Sequence, residues 1–160
     1  MFVLGIDPGL TRTGYGLVHR GHPHRPVAVG VIRTSPDTPM ARRLAELHTD
    51  LSALIAEHRP DVMAIEQVFT NKNLHTALAV SRASGMALLA AAQAKIPVVE
   101  YTPTAVKAAV TGDGTADKAM VATMVVRRLN LAERPRPADA ADALAVALCH
   151  LQSARLRIGA

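Results

Sequence analysis

Apolar residues recur along the chain with two spacings, and these spacings predict five strands and five helices. Compact apolar segments bounded by turn residues predict strands at residues 2–6, 13–19, 27–34, 61–68 and 97–101. Apolar residues at three- and four-residue steps predict helices at residues 40–55, 74–94, 103–110, 116–129 and 138–154. Short connections join the first three strands, which should therefore form an antiparallel meander. Helices and strands then alternate, so the pattern indicates a mixed α/β sheet covered by helices.

The helix predicted at residues 74–94 is unusual because it is apolar or small almost all round. One side carries the leucines Leu74, Leu78, Leu88 and Leu89, and another carries Ala77, Val80, Ala83, Ala87 and Ala91. A helix with this composition is typically buried on two faces. We expect one face to pack in the domain and the other to pack against a second copy of the chain.

The first predicted strand ends abruptly at Asp7-Pro8-Gly9, a sequence that favours a turn. The turn leaves the carboxylate of Asp7 at the C-terminal end of a strand that we expect to be central. Asp is common at the start of turns, so this residue taken alone fits a purely structural role equally well. Gly14 and Gly16 lie where the second strand begins, and we interpret them as room for a partner to approach the backbone closely.

Composition limits the classes of protein to which the chain can belong. Its 160 residues, 49% of them hydrophobic, predict a single domain over 1–160 with the last few residues frayed. No secretory signal and no bilayer-spanning apolar run is expected. The lone Cys149 fits a reducing, cytoplasmic location. A net charge of +5 suits a polyanionic partner, whereas an aromatic content of 2% argues against an array of aromatic residues that stack on bases.

Three further acidic residues are candidates to act with Asp7. Glu66 lies near the end of the fourth predicted strand. If the first and fourth strands are parallel neighbours, both carboxylates meet at the edge where open α/β sheets bind ligands. Asp139 and Asp142 open the last helix, and their three-residue spacing places them on one helical face. Taken singly, each has a structural explanation, since the helix dipole favours acids in a first turn.

Taken together, the four acids favour a metal site. Clustered carboxylates raise one another's pKa values unless a cation neutralises them. Mg²⁺ and Mn²⁺ are the natural cations for ligands that offer only oxygen. Two such ions about 3.5–4 Å apart can activate a water and stabilise a departing oxygen in phosphodiester cleavage. Spacing alone leaves a metal-dependent nuclease and a structural role equally open.

Three motifs resemble those of the RuvC family of Holliday-junction resolvases, a branch of the RNase H-like nucleases. The matching segments are residues 5–16 (GIDPGLTRTGYG), 65–69 (IEQVF) and 139–145 (DAADALA). The resemblance implies an RNase H-like five-stranded sheet, three strands antiparallel and the rest parallel, flanked by helices. It also implies that Asp7, Glu66, Asp139 and Asp142 are the catalytic metal ligands. With the chemistry above, this predicts two Mg²⁺ ions per site, with Mn²⁺ able to replace them.

Two lysines and one aromatic residue are candidates for contact with DNA. Lys118 is predicted three positions after an N-cap at Thr115, where a lysine opposes the helix dipole but suits a phosphate. Lys107 would lie on the same side if the loop at 112–114 folds back. Phe69 by itself is expected to pack on Leu74 or Leu78, whereas the resemblance implies that it stacks on a junction base. The resemblance likewise implies that both lysines contact DNA. Further basic candidates, unranked, are Arg12, Lys72, Arg82, Arg127 and Arg128.

The sequence thus predicts a homodimeric, Mg²⁺-dependent endonuclease that resolves four-way DNA junctions by paired symmetric nicks. The resemblance implies 5′-phosphate and 3′-hydroxyl ends, and it implies a junction-binding protein and a branch-migration motor as partners. Alternatives are a ribosomal-RNA-processing nuclease of the same fold and an actin- or sugar-kinase-like nucleotide-binding domain. The second of these needs two such domains and has no use for the Asp139/Asp142 pair. A catalytically idle junction-binding module is disfavoured because all four acids are present.

Overall fold

The sheet has five strands, and its order places the first strand at the centre. The computed structural model describes residues 1–68 and 73–158. The strands are β1 (Phe2–Asp7), β2 (Arg12–His19), β3 (Arg25–Arg33), β4 (Val62–Glu66) and β5 (Val98–Tyr101), in the spatial order β3-β2-β1-β4-β5. The pairs β1–β2 and β2–β3 are antiparallel, whereas β1–β4 and β4–β5 are parallel. The predicted mixed sheet is therefore confirmed.

Helices cover both faces of the sheet and divide the core into two layers. Their bounds are α1 (Met40–His58), α2 (Leu74–Gln93), α3 (Pro103–Thr111), α4 (Lys118–Leu129) and α5 (Ala138–Ile158). Leu4 and Ile6 of β1 pack in the layer with α1 and α2. Val3 of the same strand packs in the layer with α3, α4 and α5. Side chains alternate along a strand, so Asp7 at the end of β1 lies on the α5 side, as Val3 does.

Three glycines allow α5 to lie directly on the sheet. A Cβ atom at Gly5 would overlap the backbone of Ala143, and one at Gly16 would overlap the side chain of Leu144. At Gly14 it would overlap the backbone carbonyl of Asp139. The expectation that Gly14 and Gly16 leave room for an external partner is therefore wrong, because α5 occupies that space.

Threonine side chains hold the turn that follows β1. The hydroxyl of Thr13 donates to the carbonyl oxygen of Gly9 at 2.6 Å. The hydroxyl of Thr34, beyond the end of β3, donates to the carbonyl oxygen of Leu10. Both threonines are buried. The turn that presents Asp7 is thus tied to the second strand and to the third.

Helix α4 begins at Lys118, two residues later than predicted, because the residues before it form a turn. The carboxylate of Asp113 accepts from both the amide and the hydroxyl of Thr115. Thr115 is therefore committed to this turn, and Asp117 caps α4 by accepting from the amide of Met120 at 2.7 Å. Lys118 is consequently the first residue of the helix rather than its third.

Smaller differences concern the ends of other elements, and α1 continues to His58 rather than ending at residue 55. β3 begins at Arg25, two residues earlier than predicted, and a bulge in its pairing with β2 accommodates the extra length. β4 ends at Glu66 rather than Val68. α5 continues to Ile158 rather than ending near residue 154.

Helix α2 packs in the domain on one face and leaves leucines exposed on another. Ala83, Ala87 and Ala91 are buried against the sheet and α1. Leu74 and Leu78 are 68% and 50% exposed. Among the described helices, α2 alone is long and apolar enough to cross a bilayer, with 20 residues and a mean hydropathy of 1.2. The expectation that no segment is long and apolar enough to span a bilayer is therefore wrong for α2. The core helix of a soluble protein can have the same length and hydropathy.

Candidate active site

The parallel pairing of β1 and β4 brings Asp7 and Glu66 to the same edge of the sheet. Ile6 is the partner of Ile65 in this pairing, so the next residue of each strand is an acid. Val62 and Ala64 of β4 pack on the α5 side, and alternation places Glu66 on that side too. The sequence prediction that these two carboxylates meet is therefore confirmed.

Helix α5 brings the other two acids to this edge. Its first turn contains Asp139, and Asp142 follows one turn further along. Asp142 lines a cavity of about 230 Å³ together with Asp7, Glu66, Lys107 and Lys118. Asp139 is not among the described residues that line this cavity, although its charge acts on Asp7. The four acids thus form one electrostatic cluster in which Asp139 is peripheral.

A second cavity meets the first at Asp7 and Glu66. It measures about 460 Å³, and its wall on the α2 side includes Asn73 and Thr76. Pro103, the first residue of α3, borders both cavities. The two carboxylates therefore lie between two open spaces, an arrangement suited to a chain-like substrate that passes across them. The sequence did not indicate Asn73 or Thr76 as residues of the site. The only signal there was the preference of Asn at position 73 for the N-cap of a helix.

Lys118 forms an ion pair with an acid of the cluster. Its Nζ lies 3.1 Å from Oδ2 of Asp142. The Lys118 side chain is 82% exposed, whereas that of Asp142 is 21% exposed. Hydrogen bonding to Asp142 raises the pKa of Lys118, so the lysine remains charged. Lys107 lines the same cavity, which places both lysines beside the acids as predicted.

Burial and mutual repulsion hold protons on the cluster. The pKa of Asp7 is raised from 3.8 to about 8, first by burial and then by the charges of Glu66, Asp142 and Asp139. The pKa of Glu66 is also raised, by burial and by Asp142. Lys118 opposes both shifts. Lys107 also lowers the pKa of Glu66. The two ammonium groups together are nevertheless too little positive charge to keep Asp7 ionised at neutral pH.

The donor chemistry of the cluster fits a divalent cation. Carboxylate oxygens are the ligands that Mg²⁺ and Mn²⁺ prefer, and the raised pKa values are those that a cation would lower. In the described ranges 1–68 and 73–158, however, no group of three or more His, Cys, Asp or Glu side chains is arranged to hold a metal ion. Coordination would require rotation of side chains, including release of Asp142 from Lys118.

Two of the candidate DNA-contacting residues lie outside the part of the chain that the structure describes. These residues are Phe69 and Lys72, in the segment between β4 and α2. Base stacking by Phe69 and packing of Phe69 on Leu74 or Leu78 both stay predictions.

Comparison with known proteins identifies the family. A family model described as crossover junction endodeoxyribonuclease RuvC matches residues 3–150. The chain belongs to the RuvC family. A RuvC from Salinispora arenicola is 57% identical over 154 residues, covering 94% of this chain and 87% of that relative. The RuvC of Desulforamulus reducens is 51% identical over 153 residues, covering 95% and 94%.

A solved RuvC structure has the same fold. RuvC of Thermus thermophilus, in complex with a Holliday junction substrate, matches with a TM-score of 0.93 and 40% identity, covering 98% of this chain and 96% of that one. The RNase H-like architecture implied by the sequence motifs is therefore confirmed. RuvC family nucleases use divalent metal ions, which agrees with the donor chemistry of the acidic cluster. The kinase-like and RNA-processing alternatives are not favoured.

Proposed function

We propose that this chain is a structure-specific endonuclease that resolves four-way DNA junctions by hydrolysis at the cluster of Asp7, Glu66, Asp139 and Asp142. The observation that carries the proposal is the convergence of acids from two parallel strands and a helix between two open cavities. Membership of the RuvC family supplies the class of substrate.

The four acids would bind two Mg²⁺ ions, and Mn²⁺ would substitute. When bound, such ions polarise the scissile phosphodiester and lower the pKa of water. Asp7 and Glu66 are the acids whose pKa values are raised, and they would give up their protons and hold the ions as carboxylates. Release of Asp142 would free Lys118 to contact a phosphate oxygen of the substrate.

Lys107 and Lys118 would hold the DNA strand beside the cluster, since both line the cavity that contains the acids. The ammonium of Lys118 is largely exposed at the start of α4, where backbone amides also point outward. A phosphate bound there would meet both the lysine charge and the positive end of the helix dipole. Paired cleavage would leave 5′-phosphate and 3′-hydroxyl ends.

The protein would act as a two-fold dimer, because a junction needs two symmetric nicks to give two duplexes. Its location would be the cytoplasm. The exposed leucines of α2 are the surface that we assign to the dimer. Partners would include a junction-binding protein and a branch-migration motor, and no membrane is involved.

A substrate panel tests the assignment. Equal amounts of a mobile four-way junction, plain duplex and structured RNA are incubated with the protein and Mg²⁺. The proposal predicts cleavage of the junction with the duplex and the RNA left intact. Equal cleavage of all three would contradict the proposed specificity, whereas selective cutting of the RNA would favour an RNA-processing nuclease.

A further inference from the structure

Four arginines lie together at one corner of the domain, on the same edge of the sheet as Asp7. Arg12 begins β2 and Arg33 ends β3, and they are direct partners in the antiparallel β2–β3 pair. Arg42, in the first turn of α1, lines a cavity of about 350 Å³ together with Arg33. Arg12, Arg33 and Arg42 are all exposed, and we call them the arginine row. The buried Arg43 follows Arg42 in the chain.

Arg43 ties the row to the turn that presents Asp7. Its Nε donates to the hydroxyl of Thr34 at 3.0 Å, and its Nη2 donates to the hydroxyl of Thr11 at 2.9 Å. Thr11 precedes Arg12 and Thr34 follows Arg33, so one guanidinium fixes both of these positions. The row is therefore a positioned feature rather than a set of independent surface side chains.

The arrangement of the row is unfavourable in the isolated protein. Like charges directly opposite each other on antiparallel strands destabilise the pair, and Arg12 faces Arg33 in this way. Arginines in the first turn of a helix oppose its dipole. The first turn of α1 contains Arg42 and Arg43 with no acid, and its N-cap, Pro39, makes no side-chain cap bond.

Nearby carboxylates do not neutralise this charge. Glu46 and Asp50 line the same cavity as Arg33 and Arg42. Even so, none of the four arginines lies within 4.0 Å of a described carboxylate in an ion pair. Arg43 is only 8% exposed, and a buried cation without a counter-charge is costly. An external polyanion would relieve the costs at the three exposed arginines of the row.

The position of the row relative to the acids indicates which polyanion fits. Arg12 begins β2, the neighbour of β1, and Arg33 ends β3, one strand further on, so they lie roughly 5 Å and roughly 10 Å across the sheet from the strand that ends in Asp7. Duplex DNA carries one charge per about 1.7 Å of its axis. A duplex arm of the junction that extends from the acidic cluster along this edge of the sheet would therefore place several phosphates against the arginine row.

We propose that the arginine row binds the phosphodiester backbone of a duplex arm of the junction, beside the strand that is cut at Asp7. This inference rests on the proposed function and adds to it a second contact region beyond Lys107 and Lys118. The row supplies affinity and orientation of the arm, and it takes no part in hydrolysis.

Salt-dependent binding tests the inference. Binding of a labelled four-way junction is measured by anisotropy in EDTA, at salt concentrations from about 50 to 300 mM, for the wild type and for Arg12→Ala, Arg33→Ala and Arg42→Ala. Each row variant removes one phosphate contact from each protomer and therefore two from the dimer. It should lower the slope of log affinity against log salt by roughly 1.8, which weakens binding about sixtyfold near 0.1 M salt. The matched control is Arg25→Ala, because Arg25 is exposed at the opposite end of β3. Its slope should equal that of the wild type.

The outcomes separate this inference from the proposed function. Suppose that the wild type binds and cuts the junction. If the row variants then have the same slope of log affinity against log salt as the wild type, or lose no more affinity than Arg25→Ala does, the arginine row is not a contact surface. If the wild type fails to cut the junction in Mg²⁺, the proposed function itself is wrong. Thermal unfolding of each variant excludes misfolding as the cause of weaker binding.

Discussion

Gly14 lies so close to Asp139 that a Cβ atom at position 14 would overlap the backbone carbonyl oxygen of Asp139. Gly14 is also the direct partner of Asp7 across the β1–β2 pair. One residue without a side chain therefore determines how closely the first turn of α5 approaches the strand that carries Asp7. The position of Asp139 and Asp142 depends on the backbone of β2 as well as on their own helix.

Replacement of Gly14 by alanine should displace the first turn of α5 from the sheet. The overlap is with backbone, which cannot rotate away, so we expect a loss of about 1–3 kcal/mol in the free energy of unfolding. Displacement of Asp139 and Asp142 should lower the rate of junction cutting by tenfold or more, as a roughly 1 Å misplacement can. Chemical denaturation and single-turnover cleavage measure the two effects.

Gly85→Ala is the control for this substitution. Gly85 lies within α2, and an added Cβ would meet nothing within 4 Å in the chain. Alanine should therefore leave the stability unchanged or raise it by about 0.5–1 kcal/mol, because glycine is unfavourable inside a helix. Equal effects of the two substitutions would contradict the close approach of Gly14 to α5.

Asp7→Asn should abolish cutting and also stabilise the protein in EDTA at alkaline pH. The pKa of Asp7 is 3.8 in the unfolded reference and about 8 in the fold. Between these values the folded state binds the extra proton, so stability falls as the pH rises from about 4 to about 8. Asparagine cannot ionise, so this loss does not occur in the variant. The melting temperature of the variant should exceed that of the wild type by roughly 5 °C or more at pH 8, and the two should be equal near pH 4.

The activity of Asp7→Asn is compared with that of Glu100→Gln. Glu100 is an exposed carboxylate of β5 and the strand partner of Ile65, so it lies on the face of the sheet opposite to Glu66. We expect cutting to fall at least about a hundredfold in Asp7→Asn, with junction binding retained, and to persist in Glu100→Gln. Retained cutting by Asp7→Asn would remove Asp7 from the catalytic set.

Lys118→Met should make the protein in EDTA more sensitive to alkaline pH. Lys118 lowers the pKa values of Asp7 and Glu66, so its removal raises both values further. The melting temperature of the variant should fall below that of the wild type at pH 8, and the difference should shrink as the pH is lowered and the acids become protonated. Lys118→Arg, which keeps the charge, should follow the wild type. A constant difference at every pH would indicate that Lys118 does not act through the acids.

The faces on which the four acids lie could be predicted from sequence because they depend on local periodicity. Alternation along β1 and β4 and the three-residue step from Asp139 to Asp142 determine which way these side chains point. That the Asp139/Asp142 pair meets Asp7 and Glu66 is a long-range relationship, and only the resemblance to the RuvC family implied it. The close approach of α5 to Gly14 and Gly16 could not be predicted, because it joins elements more than 120 residues apart. The cap of α4 was misplaced because the side chain of Asp113 captures Thr115, and a propensity scale contains no such competition.

The exposed leucines of α2 should mediate dimerisation. Leu78→Asp places a charge in the centre of this surface, so the variant should sediment as a monomer at micromolar concentration, where the wild type should be a dimer. Val27→Asp is the matched control, because Val27 on β3 is 48% exposed and Leu78 is 50% exposed. A wild type that sediments as a monomer without DNA would contradict this assignment of the α2 surface.

Mapping of the cut junction shows whether the carboxylate cluster resolves junctions by metal-dependent hydrolysis. A four-way junction labelled on each strand in turn is incubated with the protein and Mg²⁺, and the products are mapped and then treated with DNA ligase. We expect two nicks at symmetric positions on opposing strands, with 5′-phosphate and 3′-hydroxyl ends that the ligase seals, and no products in EDTA. Unpaired nicks, ends that cannot be ligated, or undiminished cutting in EDTA would contradict hydrolysis by a metal-loaded carboxylate cluster.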